Sequence, residues 1–227
     1  IAPPTNTVSF TVFHLISANG SLSLVKSSIT EITDHFTEGM VSLDFDDGWQ
    51  DTYTNGIPIL NQAGYRSTQY IITQYLNAPE YVTLSQFNNM KLLGHDIQSH
   101  TQTHPHLPTL TSTQLQNEVV GSFSDLVSLG ITPVALAYPY GEYNDAVITS
   151  IKNAGYKGAR TALVADNGYN TPSTDLYKLK TFSIEATTTL SNVKSYIDTA
   201  NTSKTWAILV LHRVTSVAGQ YNTSPVF

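Results

Sequence analysis

The chain has 227 residues, a formal net charge of -6 and a pI near 5.5. That acidic balance offers no footprint for nucleic acid or an anionic membrane surface. With no cysteine, it has no disulfide scaffold, thiolate metal site or cysteine nucleophile. Its length suits one sizeable domain with at most a small appendage. Charged residues make up 12%, about half the usual share, so the polar surface is built from Thr, Ser, Asn, Gln and many of the 13 Tyr. That habit suits secreted or cell-surface proteins that handle carbohydrate. No apolar run reaches the length of a membrane span, and the opening Ile1-Ala2-Pro3-Pro4 reads as the start of a processed or trimmed chain. A monomer is expected.

Residues 1–34 stand apart. Thr7 to Leu15 and Ser21 to Val25 alternate crudely around the turn signal Asn19-Gly20, which predicts a β-hairpin extension or the remnant of a β-sandwich module. From 35 to 227 the pattern changes to strand, loop and helix in repetition. Strands are predicted at 41–45, 67–72, 96–99, 134–138, 158–162, 180–184 and 206–211. Helices are predicted at about 53–63, 84–93, 112–129, 145–154 and 190–200, several of them ended by glycine. This alternation predicts an α/β domain whose roughly seven parallel strands close, or nearly close, as a barrel.

Polar clusters fall at the C-terminal ends of these strands, where barrel active sites lie. Asp44, Asp46 and Asp47 end the first, and Gly48 permits the turn that follows. His100 and His104 follow the third, Tyr138-Pro139-Tyr140-Gly141 the fourth, and His212 the last. Crowded carboxylates need a cation, a protonated partner or solvent. Two histidines four apart plus one carboxylate make a three-ligand set with room for water and substrate, as a catalytic zinc site requires. Asp47, His100 and His104 are the predicted ligands; His95 and His106 are read as ordinary neighbours.

These segments resemble the motifs of the NodB-homology polysaccharide deacetylases, the fourth carbohydrate esterase family. Asp44-Phe45-Asp46-Asp47-Gly48 is similar to the first motif and Ser99-His100-Thr101-Gln102-Thr103-His104 to the second. Tyr138-Pro139-Tyr140-Gly141 resembles the third and Leu209-Val210-Leu211-His212 the last. Order and spacing fit over about residues 39–215. The resemblance implies a distorted (β/α) barrel and metal-assisted removal of acetyl groups from N-acetylglucosamine polymers such as chitin oligomers, peptidoglycan or an exopolysaccharide. It implies a divalent ion on Asp47, His100 and His104: zinc, with cobalt or nickel as alternatives. It assigns Asp46 as general base and His212 as general acid. The Tyr140 N–H would stabilise the oxyanion, and Leu211 would line the pocket for the acetyl methyl. Two other readings accompany it: an O-acetyl esterase on acetylated xylan, and a carbohydrate-binding relative without catalysis.

The chain departs from the family pattern where Ala137 stands in place of the third motif's arginine, and no aspartate clearly replaces the fourth motif. Arg160, on a later strand, either reaches the site as a substrate-side group that holds Asp46 or forms a structural salt bridge. Trp49, Tyr140, Tyr143 and Tyr169 lie in loops near the site edge, where stacking on sugar rings and packing under loops are both open.

Overall fold

The structure, a computed structural model, describes residues 36–225, so the expected N-terminal extension lies outside the described residues. Seven parallel strands form one sheet: β1 (Met40–Phe45), β2 (Thr68–Ile71), β3 (Asp96–Ser99), β4 (Ala135–Ala137), β5 (Gly158–Arg160), β6 (Phe182–Ser183) and β7 (Trp206–Leu211). Their spatial order is β5-β4-β3-β2-β1-β7-β6. The segment leading into β6 draws the two edges together. Leu179 bridges Arg160 of β5, and Thr161 N–H donates to Leu179 O. A few residues on, Phe182 and Ser183 pair with Leu209 and Val210 of β7. The sheet therefore curls into the expected distorted barrel. This division of one segment between two neighbours also explains why β6 is two residues long where five were expected.

Helices α1 (Ile57–Gln62), α2 (Leu84–Leu92), α3 (Ser112–Ser128), α4 (Asp145–Ala154) and α5 (Leu190–Ser203) cover the barrel. Their starts follow from sequence. Thr83, Thr111 and Thr189 each accept from the backbone three residues on, and Gln86, Gln114 and Asn192 bond back, completing three capping boxes. Beyond β7 a short parallel pair, β8 (Arg213–Val214) and β9 (Asn222–Thr223), continues the chain. It has too few residues to leave a period in the sequence.

Strand periodicity sorts residues between the two faces. Ala207 and Leu209 of β7 pack with Phe182, Ile184 and Ala200 on the side of α5. Ile208 and Val210 pack with Leu179 in a separate cluster that Trp206 adjoins. Along β1 and its next residue, the alternate positions Ser42, Asp44 and Asp46 are polar. Ser42 accepts a 2.9 Å hydrogen bond from the Trp206 indole, while Asp44 and Asp46 meet Arg160. The barrel interior is thus apolar toward β6 and β7 and charged between β1 and β5.

His95 belongs to the fold. It is buried before β3; its Nδ1 accepts from Ser67 N–H (3.2 Å), which leaves the Nε2 hydrogen for Asn61 Oδ1 (3.3 Å). Burial, with a smaller push from Arg66, lowers its pKa from 6.5 to about 4. A base depressed in the folded state is protonated first in the unfolded chain, so its stabilisation is complete above pH 6.5 and lost as pH falls toward 4. Replacing His95 with Gln should flatten the fall in unfolding free energy between pH 7 and 4.5, read by urea titration. An unchanged slope would show that His95 is not among the titrating groups.

Candidate metal centre and active site

After Phe45 the backbone of β1 stays tied to β7 for one more residue, Asp46 N–H donating to Leu211 O. It then turns through Asp47 and Gly48, both at positive φ (71° and 79°). Thr101 (66°), His104 (61°) and Tyr140 (58°) share this uncommon conformation for non-glycine residues. Such strain gathers where surrounding structure dictates side-chain aim. At the third loop the constraint is explicit. A Cβ on Gly141 would lie 2.6 Å from the backbone nitrogens of Ala162 and Leu163, so only glycine fits.

The turns bring Asp47, His100 and His104 together. Asp47 Oδ1 lies 3.4 Å from His100 Nε2 and 3.6 Å from His104 Nε2, and one ligand atom from each residue falls within 4.8 Å of the others. Metal–ligand bonds of about 2.0–2.1 Å in a tetrahedral site separate neighbouring ligand atoms by roughly 3.3 Å, so the spacing fits a small divalent ion. The supporting bonds fit as well. His100 Nδ1 lies 2.9 Å from Ala137 O, a bond that fixes the tautomer with its Nε2 lone pair facing Asp47. Asp47 Oδ2 accepts from the Trp49 indole at 2.8 Å, leaving Oδ1 for the ion.

Charge within the cluster is divided unevenly. Burial raises the Asp47 pKa, but the hydrogen bond and charge of His100, with His212 and His104, outweigh it and hold the carboxyl below its usual range. Burial lowers His100, which Asp46 and Asp47 more than offset, so its pKa is raised. His104 moves the other way, to about 4, through burial and the neighbouring His100. A proton on His100 therefore competes with a metal ion for the same carboxylates.

Asp46 lies beside this cluster, 2% exposed, with Oδ2 3.9 Å from His100 Nε2. Its Oδ1 accepts from Arg160 Nη2. Burial pushes Asp46 up, but Arg160, His100 and His212 together bring its pKa below the ordinary value. Arg160, grouped with the substrate-side residues in the sequence, is itself 1% exposed and engages carboxylates of its own chain. Tyr140 is half exposed at the rim, with the His106 ring stacked on it at 3.9 Å and the His104 ring edge-on at 4.6 Å. His212 follows β7, close enough for its charge to act on Asp46 and Asp47. Its ring centroid is 5.0 Å from that of Tyr221, and its Nδ1 has no partner among the described residues. Leu211 is partly buried and packs against the cluster of Phe182, Ile184 and Leu209.

The family model for polysaccharide deacetylases matches residues 33–159, which run from before β1 into β5 and include the motifs that carry all three candidate ligands. The chain belongs to the polysaccharide deacetylase family. Among related deacetylase structures, that of Streptococcus pyogenes PplD is 28% identical with a TM-score of 0.64, covering 69% of each chain. A polysaccharide deacetylase from Bacillus cereus is 28% identical with a TM-score of 0.62, covering 68% of this chain and 50% of its own. By sequence, Bacillus subtilis YxkH is 31% identical over 124 residues, 53% of this chain and 44% of its own. A peptidoglycan-N-acetylglucosamine deacetylase from Bacillus cereus is 26% identical over 121 residues, 53% of this chain and 55% of its own. The chain spans about half the length of these two curated relatives.

Several residues around this site are visible only in three dimensions. One face of α3 presents Glu118, Ser122 and Asp125, spaced four and three apart as a helical stripe requires. Glu118 accepts from the N–H groups of Gln102 (3.0 Å) and Thr103 (2.9 Å) and from the Thr103 hydroxyl (2.6 Å). Ser122 bonds Ser99 at 2.9 Å, and Asp125 accepts from the Gln102 amide at 2.9 Å. Gly121 lets Gln102 lie on the helix, since a Cβ there would come within 2.4 Å of that side chain. The signal was a polar stripe in an otherwise amphipathic helix, which solvent exposure explains equally well. Of the loop aromatics, Trp49 stacks on Tyr81 at 4.5 Å beneath the Arg213 guanidinium. Tyr143 stacks on Tyr138, and Tyr169 packs on Phe182.

Replacing Glu118 with Ala removes three bonds from the loop that carries both histidines and touches no ligand atom. Zinc affinity should fall by about 10- to 100-fold, the usual cost of losing support behind a ligand. Competition with a chromogenic chelator would measure it, and affinity within twofold of wild type would show the loop holds its shape unaided.

Proposed function

We propose that this chain is a divalent-metal-dependent N-deacetylase of N-acetylglucosamine-containing polysaccharide, working at the cell surface or in the medium. The carrying observation is an arginine-held carboxylate, Asp46, whose second oxygen stands 3.9 Å from His100 Nε2, beside the three-ligand set Asp47, His100 and His104. Those three residues would hold the ion, with zinc the metal best matched to nitrogen and oxygen ligands at this spacing. When bound, the ion supplies Lewis acidity, making water nucleophilic near neutral pH and polarising the acetamide carbonyl.

The chain's own groups complete the reaction. Asp46 Oδ2, the oxygen not bonded to Arg160, takes the proton of the attacking water. The Tyr140 N–H, on a backbone held at φ 58°, donates to the oxygen on which negative charge develops. His212 gives its proton to the departing amine, a step the chemistry demands because an amine anion is a poor leaving group. Leu211, at the end of β7 beside His212, takes the acetyl methyl. The Streptococcus pyogenes relative was solved in complex with acetate, the product this reaction would release, and the Bacillus cereus relative is named for peptidoglycan N-acetylglucosamine.

The test is acetate release from N-acetylglucosamine oligomers, peptidoglycan and acetylated xylan, using chelated protein before and after zinc is restored. Release from the first two, only with metal, is the expected result. Release from xylan alone would make the chain an ester hydrolase. Stoichiometric zinc binding with no acetate from any of the three would leave a carbohydrate-binding relative.

A further inference from the structure

We propose that Asp44 is a positioning residue for the reaction: it occupies Arg160 Nε and so keeps the base Asp46 from being captured through both oxygens. The proposal rests on the assignment of Asp46 as base. Arg160 reaches its partners across the barrel, from β5 to β1, with three strands between them in the sheet order. Ala137 and Arg160 are register partners on the adjacent strands β4 and β5. The cation therefore enters one strand away from Ala137, at the same level of the barrel.

The arrangement at the far end is unusual for a guanidinium. The Nε–Nη2 edge of arginine normally grips one carboxylate through two parallel hydrogen bonds. Here the edge is split. Nε donates to Asp44 Oδ2 at 2.7 Å, and Nη2 donates to Asp46 Oδ1. Asp44 lies on β1 and Asp46 one residue past its end, where the backbone is still paired to β7, so both side chains leave the same face of the strand. The Tyr70 ring lies 4.2 Å from the guanidinium, and Nη1 has no partner among the described residues. Two carboxylates and one aromatic face thus set the orientation of a long side chain.

Without a carboxylate at position 44, Nε would be left with no acceptor inside a buried site. The favourable remedy is rotation of Asp46 to take both Nε and Nη2. That rotation would turn Oδ2 away from His100, where it now stands at 3.9 Å, and away from any water at the metal centre. Asp44 prevents it by satisfying Nε. One oxygen of Asp46 stays fixed and the other stays free to accept a proton.

The experiment compares Asp44→Ala with Asp44→Asn in the zinc-loaded protein, measuring kcat, KM and zinc affinity. Asp44→Ala should lower kcat by about 10- to 100-fold, the scale of a misplaced catalytic group, with KM and zinc affinity within about threefold. Asp44→Asn retains an acceptor for Nε and should recover most of the loss. Asp44→Ala should also add little to Arg160→Lys, because both act through one interaction. Wild-type kcat in Asp44→Ala would overturn the proposal, as would equal losses in both variants that track zinc affinity. A second measurement covers the case in which Asp44→Ala does not fold. The Arg160 Nε–H resonance of wild-type, metal-free protein should exchange slowly with solvent, and exchange as fast as that of an exposed arginine would overturn the anchor. If wild-type protein releases no acetate, the functional reading fails, while the exchange measurement still decides whether Asp44 holds Arg160.

Discussion

Asp46→Asn should abolish most acetate release while leaving the metal centre intact. Asp46 is not among the three ligands, and its carboxylate is bonded to Arg160 and kept ionised there. Asparagine has nearly the same shape and still offers Arg160 Nη2 an oxygen, so the barrel loses little packing. What it cannot do is accept a proton. General-base groups contribute about 10²- to 10⁴-fold, and a loss on the order of 10³ in kcat is the expected figure, with zinc affinity within a fewfold of wild type. Asp47→Asn gives the contrasting pattern, in which zinc is released and activity follows it. If Asp46→Asn lost zinc in parallel with activity, Asp46 would be a ligand and the base would have to be sought elsewhere.

The positions of these two aspartates were legible in the sequence because apolar residues lead directly into them. Val41 to Phe45 could only be a strand emerging from a core, and the glycine after Asp47 marked the turn. The motif order supplied the histidines. Arg160 was harder to read. Its strand, β5, is three residues long and carries no period of its own. Nothing in one dimension says that a side chain from β5 will cross to β1. The same limit hid Glu118, whose role depends on which face of α3 meets the histidine loop. Asp44 was visible only as one of three crowded carboxylates. Its separate partner becomes evident once β1 is seen to send alternate residues into the barrel.

The loop aromatics show how packing and function can be confused in sequence. Tyr143 and Tyr169 have the same composition-level signature as Tyr140, yet they pack against core rings. Tyr140 remains half exposed because its backbone is held in the left-handed region between Pro139 and Gly141. Backbone constraint, which a sequence expresses only through neighbouring glycine and proline, separates the rim residue from the packed ones.

Arg160→Met should be the most destabilising substitution in the described domain, and its cost should depend on pH in a definite direction. Methionine fills much of the space but leaves Asp44 and Asp46 buried with no cation. Breaking a buried ion pair from one side typically costs about 3–5 kcal/mol. The carboxyls respond by holding protons. Asp44 is already raised to about 7 in the wild type, first by burial and then by Asp46, with Arg160 acting in the opposite sense. Asp46, which Arg160 keeps low, loses its main counter-charge in the variant and rises above its unfolded value. A carboxyl raised in the folded state contributes stability that is present at low pH and lost as pH increases. The deficit relative to wild type should therefore be largest near pH 8 and shrink on acidification, by about 1.4 kcal/mol per pH unit for each carboxyl that becomes protonated only in the variant. Urea unfolding of both chelated proteins at pH 8 and pH 5.5 measures this directly. A deficit that did not change with pH would mean that Arg160 stabilises the barrel through packing on Tyr70 and not through its charge.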